Sequence, residues 1–244
     1  MASVALVGGT GLVGSHILTT LLPHPSITHI EFLARRPPPK SITDTNPQKL
    51  SIFTSQDPPA TWSSHLRTAT HPAAEIFFST LATTRANAGG LDAQRALEHD
   101  ANLELARAAK EAGAKVYVLV SAAGANASSR FPYLKLKGDI EESILALGFE
   151  RTVILRPLMI DGQREERRLA EGVVRGIAGL AGRISKPWLK DWWSQDAEEI
   201  AKAAVSAGVR AWKGEGEGGK EKVVVLDGSD IVRLGRTEWK GDGS

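Results

Sequence analysis

Short apolar runs recur along the chain, and most of them are separated by segments whose apolar residues repeat with helical spacing. Seven runs have the length of a strand, and they cover residues 3–7, 28–34, 49–53, 74–78, 115–120, 151–155 and 223–226. Buried parallel strands are continuous apolar runs, and strands that alternate with helices are typical of βαβ units. The pattern predicts an α/β fold with a single doubly wound parallel sheet, the Rossmann fold.

Helical spacing is clearest in four segments, and the residues around them can begin or end a helix. These segments cover residues 13–22, 92–112, 132–147 and 197–209. Pro23 stops the first, and glycines follow the second and the third. Ser194 and Asp196 can cap the start of the fourth. We expect a flexible glycine-rich loop at 214–219 and a frayed tail over the last ten residues.

The composition is that of an ordinary globular protein, and it narrows the possible functions. The 244 residues, 42% of them hydrophobic and 24% charged, suit one domain that spans 1–244. A net charge of +2 argues neither for nor against binding of nucleic acid, whose partners usually carry a concentrated basic face. No nucleic-acid partner is expected. The lack of cysteine excludes disulfides and thiolate metal sites, and the six histidines form no zinc motif, so no metal is expected.

The chain carries no sequence signal for insertion into a membrane or for cleavage. No window approaches about 18 consecutive apolar residues, so no transmembrane helix is predicted. The first predicted strand begins by Ser3, which leaves no room for a signal or transit peptide.

A glycine-rich segment follows the first predicted strand and opens the first predicted helix. It has the spacing G-x-x-G-x-x-G. Gly8 would make the tight turn, Gly11 would let a pyrophosphate approach, and Gly14 would let the helix pack close to the strand. The N–H groups at the helix start would face the phosphates, which favours nucleotide binding over a purely structural turn. The expected cofactor-binding residues of this segment are Gly8, Thr10, Gly11, Leu12, Val13 and Gly14.

The residues after the second strand indicate which nucleotide is bound. A site that selects NAD usually places Asp or Glu there to bind the ribose 2′-hydroxyl, but this chain has Arg35 and Arg36. Two guanidinium groups suit a 2′-phosphate, so NADPH or NADP is the expected cofactor. The alternative is a solvated basic pair that precedes a proline-rich turn.

Two further positions are expected near the cofactor because of where the strands end. Thr80 and Leu81 follow the fourth strand, whose carboxyl end borders the nicotinamide ribose in this architecture. An ordinary polar strand exit is the alternative for each residue taken singly. Asp57, after the third strand, is a weaker candidate for a contact with the adenine.

A serine, a tyrosine and a lysine carry the predicted chemistry. Ser121 follows the fifth strand, and Tyr133 and Lys137 lie four residues apart in a predicted helix, so they share one face. Transfer of hydride to a carbonyl leaves negative charge on oxygen, which Tyr133 can neutralise by giving its proton. Lys137 would lower the pKa of the phenol and bind the nicotinamide ribose, and Ser121 would hold the substrate carbonyl. The structural alternatives are a half-buried tyrosine, a surface lysine and a strand-end cap.

These motifs resemble the short-chain dehydrogenase/reductase superfamily. The stretches 79–85, 133–141 and 155–157 are similar to its atypical branch, which contains the human Tat-interactive oxidoreductase-like protein and fungal relatives described as peripheral proteins of the mitochondrial outer membrane. The resemblance implies an NADPH-binding Rossmann fold with Ser121, Tyr133 and Lys137 in the catalytic places. The expected cofactor-binding residues further include Tyr133, Lys137, Arg156 and Pro157. Asn102, the nearby candidate for the fourth catalytic position of the wider superfamily, is left out.

Residues 157–195 are expected to form a small lid over the substrate. Apolar residues at 169, 173, 174, 177 and 180 fit one helical face, and glycines among them favour a mobile segment, although a helix packed on the sheet fits equally. Trp188, Trp192 and Trp193 can line a pocket, pack in the core or contact a membrane peripherally.

The leading hypothesis is an NADPH-dependent carbonyl reductase that acts on a small, apolar ketone or aldehyde. One rival is a regulatory NADPH-binding protein whose cofactor state is read by a partner. Another is an adaptor that uses the tryptophan segment at a membrane surface. The resemblance places the protein in the cytoplasm or on the cytosolic face of the mitochondrial outer membrane, and the oligomeric state stays open.

Overall fold

The computed structural model describes residues 1–68, 73–161, 194–216 and 221–240. The strands are β1 (Ala2–Val7), β2 (Ile27–Ala34), β3 (Leu50–Thr54), β4 (Ile76–Ser79), β5 (Val116–Val120), β6 (Arg151–Leu155), β7 (Met159–Asp161), β8 (Ser194–Asp196) and β9 (Val223–Leu226). The α-helices are α1 (Leu12–Leu21), α2 (Lys40–Thr43), α3 (Ser63–Thr68), α4 (Arg85–Ala88), α5 (Leu91–Arg95), α6 (Ala101–Glu111), α7 (Pro132–Leu147), α8 (Ala197–Lys213) and α9 (Gly228–Val232). Short 3₁₀ turns cover Pro47–Lys49 and Pro59–Trp62, and π-helical segments cover Ala96–Asp100 and Arg233–Thr237.

Seven strands form one parallel sheet in the order β3-β2-β1-β4-β5-β6-β9. The predicted doubly wound Rossmann fold is therefore confirmed. The strand order reverses between β1 and β4, and ligands of such sheets bind in the crevice beyond the carboxyl ends of the strands at this point. β7 and β8 pair with each other in a separate two-stranded sheet.

Two hydrophobic layers cover the two faces of the sheet. Helices α1 and α8 pack together on one face over Val4 and Leu6, and α3, α6 and α7 cover the other face over Ala5 and Val7. Neighbouring residues of β1 are thus buried on opposite faces. This double burial explains why β1 is a continuous apolar run rather than an alternating one.

The predicted ends of two helices are confirmed by their backbone conformation. Gly148 ends α7 at φ +67°, in the left-handed region that favours glycine. The side chain of Asp196 accepts a hydrogen bond from the N–H of Glu198 and caps α8. Gly148 directs the chain back to the sheet, where β6 follows, and Asp196 marks the change from β8 to α8.

The prediction of a frayed tail is wrong for residues 235–240. A Cβ on Gly235 would overlap the backbone carbonyl of Glu199, so the π-helical segment lies directly on α8. Arg236 pairs with the Glu199 carboxylate at 2.5 Å, and Glu238 pairs with Arg210 and Arg233 at 3.1 and 2.9 Å. The contacts with Glu199 and Arg210 of α8 anchor a segment whose sequence is polar and glycine-containing.

Most of the predicted lid lies outside the described residues. This applies to the predicted helical face at 169–180 and to Trp188, Trp192 and Trp193. Across the described ranges, no helix combines the length and the hydrophobicity needed to cross a membrane.

Candidate active site

The glycine loop joins β1 to α1 and packs against the end of β4. Gly8 has φ +79°, and a Cβ added to it would lie 2.5 Å from the carbonyl carbon of Thr80. A Cβ on Gly14 would overlap the carbonyl oxygen of Gly8. Thr80 completes this contact because its N–H and hydroxyl both donate to the carbonyl of Val7, at 3.1 and 3.2 Å. The loop therefore requires glycine at positions 8 and 14, the two that the sequence assigned to the turn and to close packing.

Gly11 precedes helix α1 and provides no capping side chain, and the first turn of the helix holds no acidic residue. The first N–H groups of a helix have no intrahelical partner, and they attract an anion. A Cβ on Gly11 would lie 3.2 Å from the carbonyl oxygen of Gly8. Glycine is therefore favoured at this position by the limited space and not by the backbone conformation, because its φ is −78°. Leu12 and Val13 form the first turn, and Val13 is buried. This end of α1 suits a phosphate group.

Arg35 and Arg36 follow the last residue of β2 and are exposed. Strand β2 pairs with β1 in a parallel register that sets Leu33 opposite Val7. Both strands therefore end at the same edge of the sheet. The carbonyl of Arg35 accepts a hydrogen bond of 2.7 Å from the side chain of Gln56, in the loop after β3. Arg35 and Arg36 thus lie at the edge of the sheet that also carries the glycine loop. Asp57, the weaker candidate, accepts a 3.0 Å hydrogen bond from Ser55 in the same loop.

Tyr133 and Lys137 lie close together at the start of α7. The Lys137 nitrogen is 5.8 Å from the centroid of the Tyr133 ring. Tyr133 is half exposed, with 50% of its surface accessible, whereas Lys137 is buried. The half-buried tyrosine expected as an alternative fits this exposure, but the surface lysine does not. A buried ammonium beside an accessible phenol is an arrangement that can support proton transfer.

The Lys137 ammonium forms an ion pair with Glu98 at 2.6 Å, and the side chains are 5% and 0% exposed. Glu98 lies in the π-helical segment between α5 and α6. It also accepts hydrogen bonds from the N–H of Thr83 and from Gln94. Sequence reasoning missed Glu98. Its negative charge offsets the positive charge of Lys137, which was expected to act on Tyr133 without a counter-charge.

Ser121 is buried at the end of β5 and is held by a second carboxylate. Its hydroxyl donates to Glu141 at 2.5 Å, since an ionised carboxylate can only accept. A hydroxyl has one hydrogen, so Ser121 in this arrangement has lone pairs to offer to a further partner. Because this hydrogen is engaged with Glu141, the expected role of Ser121 in holding a substrate carbonyl stays a prediction.

Arg156 closes this second cluster. Its guanidinium donates to Glu141 from Nε at 3.1 Å and from Nη2 at 2.5 Å, and this hydrogen bonding raises the pKa of Arg156. Pro157 accepts a hydrogen bond from the N–H of Ala123 and so fixes the loop after Ser121. Arg156 and Pro157, expected at the cofactor, thus make contacts that support Ser121.

Asn102 holds the end of β4. Its side chain accepts from the Ser79 hydroxyl and donates to the carbonyls of Leu81 and Glu98, at 3.2 and 2.5 Å. Leu81 is thereby fixed at the position expected beside the cofactor. A signal for these supporting residues existed in the spacing. Tyr133, Lys137 and Glu141 continue one helix face at steps of four, as do Gln94, Glu98 and Asn102.

Solved structures with the same fold include a short-chain dehydrogenase family protein and several epimerases. A short-chain dehydrogenase family protein from Francisella tularensis has a TM-score of 0.64 and 13% identity, over 95% of this chain and 99% of that one. The UDP-Glc/GlcNAc 4-epimerase of Campylobacter jejuni has a TM-score of 0.66 and 12% identity, over 96% and 82%. MoeE5 in complex with UDP-glucose and NAD has a TM-score of 0.61 and 16% identity, over 98% and 82%. At these identities, the likeness shows the Rossmann-type fold alone.

Sequence comparison gives much nearer relatives. "Protein FMP52, mitochondrial" of Coccidioides immitis is 64% identical over 244 residues, which is 98% of this chain and 99% of that protein. The Neurospora crassa protein fmp-52 is 41% identical over 242 residues, 98% of this chain and 97% of that protein. No protein-family model matches the chain. The resemblance to the branch that contains the Tat-interactive oxidoreductase-like protein stays a prediction. Because identities of 41% and 64% extend over almost the full length of these relatives, the chain belongs to the FMP52 family.

Proposed function

We propose that the chain is an NADPH-dependent oxidoreductase that reduces the carbonyl of a small ketone or aldehyde, with Tyr133 as the proton donor. The observation that carries this proposal is the distance of 5.8 Å between the buried Lys137 ammonium and the accessible Tyr133 ring. A fixed positive charge beside a phenol favours the charged form and so eases loss of the proton. The same sheet edge carries the glycine loop, which supports a nucleotide as the second reactant.

The residues of the crevice fit a nicotinamide nucleotide. The uncapped start of α1 and the glycine cradle suit a pyrophosphate, and the exposed Arg35 and Arg36 suit a 2′-phosphate. MoeE5, which shares the fold, was solved with NAD, and that also supports a cofactor of this class. When bound, such a cofactor supplies the hydride. Tyr133, Lys137 and Ser121 would supply the proton and the hydrogen bonds.

The proposed roles follow from the hydrogen-bond directions. Tyr133 would donate its proton to the oxygen that becomes the alcohol, and Lys137 would stabilise the phenolate that is left. Ser121 donates to Glu141 and therefore offers lone pairs. We infer that it accepts a hydrogen bond from the Tyr133 hydroxyl or from the product alcohol, which orients either group without donating to the carbonyl.

A second candidate function is a regulatory NADPH-binding protein with little or no turnover. Two observations favour it: Glu98 pairs with Lys137, and Glu141 takes the hydrogen of Ser121. Both contacts occupy groups that a reductase would use. In this case the nucleotide would change the conformation of the chain for a partner, and the oligomeric state would be part of the readout.

The names of the relatives support a mitochondrial location for this chain. We propose that it associates peripherally with the cytosolic face of the outer membrane, and that the tryptophan segment at 188–193 makes this contact. Flotation of the protein with liposomes tests the idea, because Trp192→Ala with Trp193→Ala should abolish the association. Equal flotation of the variant and the wild type would overturn it.

A panel of aldehydes and ketones with NADPH tests the catalytic proposal. We expect turnover by the wild type and a loss of at least about 100-fold in Tyr133→Phe, the usual range for a missing general acid. Tyr117→Phe is the matched control, because burial raises the pKa of Tyr117 and removes it from proton transfer. Tight NADPH binding without turnover by the wild type would favour the regulatory candidate, and failure to bind NADPH or NADH would overturn both.

A further inference from the structure

Three polar side chains line one buried face of the helix that runs from α5 through the π-helical segment into α6. They are Gln94, Glu98 and Asn102, at steps of four residues. All three reach the loop that leaves β4. Gln94 donates to the carbonyl of Thr83 at 3.1 Å, Glu98 accepts from the Thr83 N–H at 3.0 Å, and Asn102 donates to the carbonyl of Leu81 at 3.2 Å. The helix therefore fixes the backbone of this loop by three hydrogen bonds.

Of these three side chains, Glu98 also contacts a residue of α7. Its Oε1 accepts from Thr83 and Gln94, and its Oε2 accepts from the Lys137 ammonium at 2.6 Å. One carboxylate thus connects the loop at Leu81–Thr83, which borders the expected nicotinamide site, with the lysine beside Tyr133. Glu98 and Lys137 are 39 residues apart in the sequence.

The three donors make a carboxylate necessary at position 98. A glutamine has one acceptor oxygen, so its amide nitrogen would face either the Lys137 ammonium or the donors from Thr83 and Gln94. Either orientation brings donors together in a buried place, where an unsatisfied group is costly. An ammonium without its counter-charge is also unfavourable in such a place. π-Helical segments are rare and frequently occur at functional sites, which fits a residue with this double task.

We propose that Glu98 is a positioning residue, which holds the Lys137 ammonium beside Tyr133 and ties it to the loop at Leu81–Thr83. A change in the loop, such as contact with a nucleotide, would then reach the lysine through one side chain. We call the contacts of Glu98 with Lys137, Thr83 and Gln94 the clamp. The role of this clamp in catalysis rests on the proposed function. The clamp itself joins groups of the chain alone, so it can be tested without cofactor or substrate.

Acylation of lysines with acetic anhydride, followed by mass spectrometry, tests the clamp. Lys135 is 52% exposed in its side chain and serves as the internal reference in the same helix. In Glu98→Gln, the rate of labelling of Lys137 relative to Lys135 should rise at least about tenfold, because a released side chain opens to solvent more often. Glu104→Gln, which removes a partly exposed carboxylate from α6, is the matched control and should leave the ratio unchanged. An unchanged ratio in Glu98→Gln would overturn the proposal.

Glu98→Asp keeps the charge and shortens the reach, and it serves if Glu98→Gln does not fold. We expect intermediate labelling of Lys137 and faster hydrogen exchange at the Thr83 amide, because the shorter carboxylate cannot hold both partners. Wild-type values of both quantities would overturn the clamp.

Turnover separates a positioning role from a purely structural one. If Glu98 acts through Lys137, Glu98→Gln combined with Lys137→Met should have the same kcat as Lys137→Met alone. Losses that simply add would overturn the positioning role. A wild type that binds no NADPH would refute the proposed function, whereas the labelling experiment would still decide the clamp.

Discussion

Replacement of Glu141 by glutamine probes the cluster that holds Ser121. The Glu141 carboxylate is buried and accepts three hydrogen bonds, from Ser121 at 2.5 Å and from Arg156 at 3.1 and 2.5 Å. Glutamine keeps one acceptor oxygen, so at least one donor loses its partner and the charge attraction to Arg156 is lost. A hydrogen bond to a charged group contributes about 1.5–3 kcal/mol.

The exposure of Arg156 sets the size of the expected effect. Its side chain is 35% exposed, so water can replace part of what Glu141 provides and the charge term must be discounted. We therefore expect a loss near the lower end of the range, about 2 kcal/mol. For a chain of this length, a loss of that size lowers the melting temperature by roughly 4–8 °C.

Thermal unfolding followed by circular dichroism measures this loss, and urea unfolding gives the free energy with its m-value. Glu142→Gln is the matched control, because it changes the adjacent exposed residue of the same helix and should alter stability by less than about 0.5 kcal/mol. In an Arg156→Met background, the effect of Glu141→Gln should shrink, since the shared contact is already gone. Equal melting temperatures of the Glu141→Gln variant and the Glu142→Gln control would refute the reasoning.

Three further predictions follow from individual contacts. Gly11→Ala should weaken NADPH binding at least about tenfold with little change in melting temperature, because the new Cβ lies 3.2 Å from the oxygen of Gly8 and fills space expected for a phosphate. Nucleotide titration and thermal unfolding measure the two quantities, and an unchanged affinity for NADPH would contradict the prediction. Arg35→Ala with Arg36→Ala should reduce NADPH affinity at least about tenfold and spare NADH, since only NADPH carries the 2′-phosphate; equal losses for both nucleotides would contradict the assignment. Hydrogen bonds from Arg233 and then Arg210 lower the pKa of Glu238, so the ionised carboxylate stabilises the fold above its ordinary pKa of 4.5 and this stabilisation disappears as the pH falls through the lowered folded pKa. The melting temperature of Glu238→Gln should lie below that of the wild type at neutral pH, and the difference should shrink as the pH falls below the ordinary pKa. A difference that stays constant on acidification would contradict the sign.

The sheet could be predicted from the sequence because its strands carry a local signal. β6 and β9 have the bounds that their apolar runs indicate, and the loop at Gly8–Gly14 lies where the strand-to-helix switch occurs. The glycines at 8 and 14 are required by short contacts with neighbouring backbone, which explains why a motif of a few residues is informative. Each of these features depends on residues close together in the chain.

The partners of the predicted catalytic residues could not be obtained in the same way. Lys137 and Glu98 are 39 residues apart, and Ser121 and Glu141 are 20 apart, so only the folded chain shows which carboxylate meets which group. Local composition also misled at 235–240, where polar residues pair with Glu199 and Arg210 on α8. Asn102 was set aside as a catalytic candidate, and its hydrogen bonds fix the end of β4 instead of reaching Tyr133.

The most direct test of the proposed function is the carbonyl-dependent oxidation of NADPH by wild type and Tyr133→Phe, measured at saturating NADPH. Removal of the phenol hydroxyl leaves the ring and the neighbouring Lys137 in place, so NADPH affinity should stay the same. The proposal predicts a fall in rate of at least about 100-fold at unchanged affinity for NADPH. Equal rates in the two proteins would contradict the assignment of Tyr133 as the proton donor.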